Sequence, residues 1–209
     1  PAQLAALKQR LADADLFLTT VRPAAVAALE LDPQSLRPAH AQLCQTLIVG
    51  YAPPDENRPG HDLNFQAHHG LVQPPTLPTT LIADLAGAER AVSASLALLL
   101  ERERTGAGGT IYVALADAAR ELAGPVHSGL TAPDGLLAGK LPIYRCYRCS
   151  DDSWVACGLL EEKFVRTFMV EAGIEEFEEA AFAEFFATET ADHWVGWAEE
   201  RDLPISRVR

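Results

Sequence analysis

The sequence predicts an α/β protein. A large domain over residues 1–128 is built round part of a parallel sheet with a long connecting helix, and a smaller α+β domain covers residues 129–209. Three observations carry this prediction. Helical and β-type segments alternate through the first half of the chain, as they do where a parallel sheet is crossed by helices. An unbroken helical pattern runs from Thr80 to Arg104 and stops at Thr105-Gly106-Ala107-Gly108-Gly109. Beyond Gly124 the character changes: Gly129, Gly135 and Gly139 punctuate a linker that leads into a strand pair and three helices.

Leu4, Leu7 and Leu11 have helical spacing, and Leu16 to Thr20 is a short β-type run after the Asp13-Ala14-Asp15 break. Arg22-Pro23 opens a helix over Ala24–Leu31, because proline is tolerated in a first turn. Leu47-Ile48-Val49 reads as a buried strand ending at Gly50, and residues 51 to 60 form a loop rich in Pro, Asn and Gly. A helix from His61 to about Gly70 and a loop over Gln73–Pro78 precede the long helix. After it come a β-type run, Thr110–Ala114, and a helix, Leu115–Leu122. So small a parallel sheet leaves both its edges open. Tyr144–Cys149 and Trp154–Gly158 flank Ser150-Asp151-Asp152-Ser153, whose turn chemistry predicts a hairpin. Helices are expected at Glu161–Ala172, Glu175–Thr188 and Ala191–Glu200, and no internal repeat is visible.

Composition excludes several classes of function. With 209 residues, 48% apolar and 22% charged, the chain is an ordinary globular one that can bury about 70% of its unfolded surface. Acidic residues outnumber basic ones 29 to 17, for a net charge of −12, and only three residues are lysine. A protein that tracks nucleic-acid phosphates needs a basic surplus, so no nucleic-acid partner is expected. The acidic density from Glu161 to Glu200 reads as a solvated face. The most apolar stretch, Ala91–Leu100, is interrupted by Ser93 and Ser95 and falls short of the roughly 18 residues a spanning helix needs. No membrane association and a cytoplasmic location are the expectations, since the first residues lack a secretory pattern. Cys146 and Cys149 have C-x-x-C spacing, but strand alternation puts them on opposite faces. With Cys44 and His127 distant in sequence, small buried side chains fit these cysteines better than metal ligands do.

Three places can carry chemistry. Gly60-His61-Asp62-Leu63-Asn64-Phe65 sets an imidazole beside a carboxylate at a loop end. Leu81-Ile82-Ala83-Asp84-Leu85-Ala86-Gly87 sets one acid in an apolar helix start, and Gly158-Leu159-Leu160-Glu161-Glu162-Lys163-Phe164 sets acids at a strand-to-helix junction. Taken singly, each also suits a helix cap or a first-turn acid. His68 and His69 are adjacent and point about 100° apart on a helix, which does not suit a shared metal.

Taken in order, these motifs do more. Gly60 to Gly70, Leu81 to Gly87, Arg104-Thr105-Gly106 and Ala116-Asp117-Ala118-Ala119 together resemble the family III CoA-transferases and their relatives, the α-methylacyl-CoA racemases. So do Leu141-Pro142-Ile143-Tyr144, Tyr147-Arg148, Trp154-Val155-Ala156 and Gly158 to Phe164, and the register holds over nearly the whole chain. Gly60 to Phe65 looks like the racemase branch, with its Gly-His-Asp-(Ile/Leu)-Asn-(Tyr/Phe) signature.

The resemblance implies a partial Rossmann-like large domain and a two-base reaction. His61 and Asp84 would flank the α-carbon of a 2-methylacyl-CoA: one removes the proton, an enolate forms, and the other protonates the opposite face. Glu161 would support the histidine from the small domain across a dimer interface, and Asp62, Asn64, Gly87 and Tyr144 would contact the substrate. In the transferase branch Asp84 would instead be the nucleophile and His61 would be dispensable. The implied ligand is an acyl-CoA thioester, with coenzyme A as part of the substrate and no metal or redox cofactor.

Against the family pattern, Tyr51-Ala52-Pro53-Pro54-Asp55 replaces a glycine-rich loop, Ala88 a second glycine, and Asp152 a turn glycine. The family's N-terminal segment and C-terminal return have no counterpart between residues 1 and 209. A shortened, non-catalytic homologue, or a split-enzyme subunit whose partner chain supplies the missing segment, is therefore a third expectation. A homodimer is also expected, with the small domain of one chain on the Thr80–Arg104 helix of the other.

Overall fold

The computed structural model describes residues 2–209. The chain divides into two compact units, the first ending at Gly124 and the second running from Pro125 to Arg209.

In the first unit, helix α1 (Ala2–Leu11) leads to strand β1 (Leu16–Thr19). Helix α2 (Pro23–Ala28) starts on the proline that pre-sets its first turn. A one-turn helix, α3 (Pro33–Leu36), begins where the Asp32 carboxylate accepts the N–H groups of Gln34 (3.0 Å) and Ser35 (3.2 Å). Strand β2 (Cys44–Val49) begins three residues earlier than the apolar run suggests and is buried along nearly its whole length. Helix α4 (Asp62–His68), the long helix α5 (Ile82–Thr105), strand β3 (Thr110–Ala114) and helix α6 (Leu115–Leu122) complete the unit.

The three strands form a parallel sheet in the order β1-β2-β3, with Leu47 opposite Thr19 on one side and Tyr112 on the other. Burial on both sides explains why the central strand reads as a continuous apolar run. Helix α5 lies on β2 and β3, and the buried Thr46 hydroxyl meets that of Ser95 at 2.8 Å. Apolar packing is divided. One cluster gathers Leu11, Val26, Leu31, Leu36 and Leu43, and another gathers Phe65, Ala83, Ala116 and Ala119.

A short helix, α7 (Gly124–His127), and a kinked turn at Leu136–Lys140 precede the second unit's sheet. Strands β4 (Tyr144–Arg148) and β5 (Trp154–Gly158) form the expected hairpin. Asp152 holds the left-handed conformation at φ 62°, and Arg148 pairs with its carboxylate at 2.8 Å. Helices α8 (Glu162–Ala172), α9 (Glu179–Phe186) and α10 (Ala191–Glu199) follow, and strand β6 (Ile205–Arg207) returns antiparallel to β5. Helix α9 is shorter than the sequence suggests because Glu175 to Glu178 stay outside it, Glu178 being an extended cap. Helix ends accept acids, but four residues with three like charges gain little from coiling together.

This unit has one aromatic core. Phe168, Phe182 and Phe186 are fully buried, Tyr147 stacks on Phe186 at 5.0 Å between centroids, and Phe168 stacks on Phe182 at the same distance. The polar ends are satisfied: the Tyr147 hydroxyl donates to the Pro142 carbonyl (2.7 Å) and the Trp194 indole to that of Phe186 (2.8 Å). Cys146 is exposed and Cys149 buried, on opposite faces as alternation requires, and burial pushes the Cys157 thiol up to about 12. Among the described residues no helix is long and apolar enough to cross a membrane.

Candidate active site

The site residues of the first unit stand where two helices begin. Before α4 the chain passes so close to Phe65 that a Cβ at Gly60 would lie 2.7 Å from the ring, so only glycine fits ahead of His61. His61 is the extended N-cap of α4, and its backbone N–H donates to Asn64 Oδ1 at 3.0 Å. That bond is the local use of Asn64; the imidazole of His61 remains exposed.

Asp62 points the other way. Its residue is 4% exposed, and its Oδ1 accepts the backbone N–H groups of Ala83 (2.8 Å) and Asp84 (3.1 Å). Those are the second and third residues of α5, whose own N-cap, Leu81, has no side chain able to do this. A carboxylate from α4 therefore caps α5, and the residue after His61 holds the backbone of Asp84. This binds the two groups singled out in the sequence into one frame. Asp84 itself is exposed, and Gly87 lies buried three residues further on. A Cβ at Gly87 would sit 2.1 Å from Leu115 Cδ2, so this glycine lets α5 and α6 pack closely.

Partial burial raises the Asp84 carboxyl above the ordinary range and the negative charge of Asp62 raises it further, while His61 draws it down. The His61 imidazole and the Asp84 carboxyl are thus within electrostatic reach of each other.

Glu161 and Tyr144 belong to the second unit. Glu161 is the exposed N-cap of α8, its carbonyl accepting from Phe164 (2.9 Å) and Val165 (3.1 Å). Tyr144 opens β4 opposite Gly158 and lines a cavity of about 630 Å³ together with Cys146, Ala156 and Ser206. Among the described residues no three His, Cys, Asp or Glu side chains come together as metal ligands.

One residue of the frame escapes a reading by motif. Gln66 is 3% exposed, and its amide donates to Asp62 Oδ2 (2.5 Å) and to the Thr80 carbonyl (3.0 Å). Its signal was a polar residue four places after Asp62 and next to the core residue Phe65.

The chain belongs to CoA-transferase family III, whose model matches residues 1–209. It is 25% identical to the alpha-methylacyl-CoA racemase of Mus musculus over 97% of this chain and 61% of that protein. It is 23% identical to the (R)-2-hydroxy-4-methylpentanoate CoA-transferase of Clostridioides difficile over 97% of this chain and 59% of that one. The chain thus spans about three fifths of the length of these relatives. The crystal structure of a hypothetical protein from Mycobacterium tuberculosis shares the fold, with a TM-score of 0.83 at 21% identity over 99% of this chain and 65% of that chain.

Proposed function

We propose that His61 and Asp84 form a two-base pair that inverts the α-carbon of a 2-methylacyl-CoA or a similar thioester. One group takes the α-proton, the electron pair passes into an enolate, and the other group returns a proton to the opposite face. In the reverse direction the two exchange roles. A thioester α-proton is only weakly acidic, so base and acid must be held at fixed positions. The observation that carries this reading is the Asp62 carboxylate, which follows His61 in the chain and bonds the backbone N–H of Asp84. Glu161 supports the imidazole in this reading, within a homodimer.

A second reading, transfer of CoA, is favoured by the exposure of Asp84 and by relatives named as CoA-transferases. Here the Asp84 carboxylate attacks the thioester carbonyl and expels CoA thiolate. The thiolate then attacks the aspartyl carbonyl, releasing the first acid and leaving an aspartyl-CoA thioester. An incoming carboxylate attacks that thioester and expels CoA thiolate to form a second anhydride. The thiolate finally attacks the new acyl carbonyl, forming the product thioester and freeing the Asp84 carboxylate.

Incubating the chain in D₂O with a single-enantiomer 2-methylacyl-CoA, and following deuterium at C2 by NMR, separates the two. The racemase reading expects exchange by the wild type and a loss of at least about 10²-fold in both His61→Ala and Asp84→Ala. Exchange that neither substitution slows would overturn it. CoA transfer to an added carboxylate that only Asp84→Ala abolishes would establish the second reading. A folded wild type inert in both assays would leave a chain that works through a partner.

A further inference from the structure

Asp62 can cap α5 only if its carboxylate is itself held in place, and one side chain does that. Oδ1 is taken by the two α5 backbone groups, Ala83 N–H and Asp84 N–H. Oδ2 faces the protein interior and receives the amide of Gln66, one turn along α4. The same amide nitrogen reaches the carbonyl of Thr80, two residues before α5 begins. Both partners of that nitrogen are acceptors, so the NH₂ end of Gln66 must face them. Gln66 is thus tied at once to the carboxylate that caps α5 and to the chain that enters α5.

Resting on the two-base reading, we infer that Gln66 is a positioning residue, which locks Asp62 against the start of α5 and so fixes Asp84 opposite the His61 side of the site. Gln66 touches neither proposed base. It acts through Asp62, by geometry and by charge. Without the amide, Oδ2 would be left buried and unpaired, and the carboxylate would turn toward water to recover a donor. Turning would release the Ala83 and Asp84 N–H groups and carry the negative charge away from Asp84. The charged groups acting on Asp84 are Asp62 and His61, both from the start of α4. Losing the Asp62 contribution leaves burial raising the Asp84 carboxyl and His61 opposing it, so the midpoint falls from its wild-type position.

The test uses the whole chain with Gln66→Leu, which keeps the volume but removes both donors. The C2 exchange rate should fall about 10- to 100-fold, as expected for a loosened catalytic group, while KM for the acyl-CoA changes by less than about threefold. In a chain labelled with [¹³C]aspartate and assigned through Asp84→Asn, the Asp84 midpoint should move down in the variant. A purely structural role would lower the melting temperature and leave that midpoint in place, and this result in a folded Gln66→Leu chain would overturn the inference. The NMR titration needs no turnover. A wild type without C2 exchange therefore removes the racemase reading, while the midpoint still decides the role of Gln66. Gln66→Glu, of the same shape, covers the case in which Gln66→Leu does not fold. Its protonated carboxyl can donate one hydrogen bond to Asp62, so its defect should shrink as the pH falls. A defect constant with pH would count against the lock.

Discussion

The two units of this chain bury their apolar side chains in different ways. In the second unit Phe168, Phe182, Phe186 and Trp194 share one core that closes on both the sheet and the helices. In the first unit the apolar residues split into two smaller clusters, and α5 leaves Leu85, Val92, Leu96 and Leu100 between 55% and 65% exposed. Order at the candidate site comes from polar bonds between helix ends, with Asp62 and Gln66 at the centre. A core of stacked rings resists change through dispersion and burial, whereas a hydrogen-bonded frame resists it through direction. The comparison teaches that stability and geometry are carried by different kinds of contact here, so a substitution can remove one and spare the other.

The comparison breaks most visibly at Phe168. Phe168→Ala removes a ring packed on Phe182, Phe186 and Trp197 and should cost about 3–5 kcal/mol. Near-UV circular dichroism in urea, in which all three tryptophans report the second unit, should then show that unit melting well below its wild-type midpoint. A single transition at the wild-type midpoint would mean that the rings are not what holds that unit.

Gly87→Ala probes the first unit. The added methyl meets Leu115 at 2.1 Å, so α5 and α6 must part or Leu115 must swing away, at about 1–3 kcal/mol. Amide hydrogen exchange should rise in α5 and α6 and stay unchanged in α8 to α10. Equal change in both units would erase the distinction between them.

The smallest effect concerns charge. Because the folded state raises the Asp84 carboxyl, the folded chain holds more protons than the unfolded one between the ordinary carboxylate range and the elevated one. Its contribution is therefore fully present at low pH and is lost as pH rises through that window. Asp84→Asn removes the penalty at neutral pH, and the first unit should melt about 1–2 °C higher there, a modest gain because the group is solvent-screened. An advantage seen only in acid would reverse the sign and with it the assigned cause.

Much of the frame was legible in the sequence. The long helix announced itself through an unbroken pattern ended by Gly106, and the hairpin through Ser150 to Ser153. Helix α3 went unread although its signal was present, for Asp32-Pro33-Gln34-Ser35 is a cap followed by a first-turn proline. Strand β6 had no such signal. Ile205-Ser206-Arg207 is a strand only because Val155, Ala156 and Cys157 lie beside it, a pairing across roughly fifty residues that no local pattern encodes. His61 and Asp84 could be found by motif. The bonds joining them could not, since Asp62 caps a helix that begins twenty residues later.

The buried pair of hydroxyls on Thr46 and Ser95 has an effect at a distance. Sliding α5 along its axis by one turn would bring Ala91 or Leu99 to Thr46 and strand a hydroxyl without a partner. Ser95 and Asp84 are eleven residues apart on that helix, about 16 Å at the α-helical rise. A single bond in the middle of the sheet thus works as a linear stop. It sets how far the rod projects, and so where along its length the Asp84 carboxyl comes to rest.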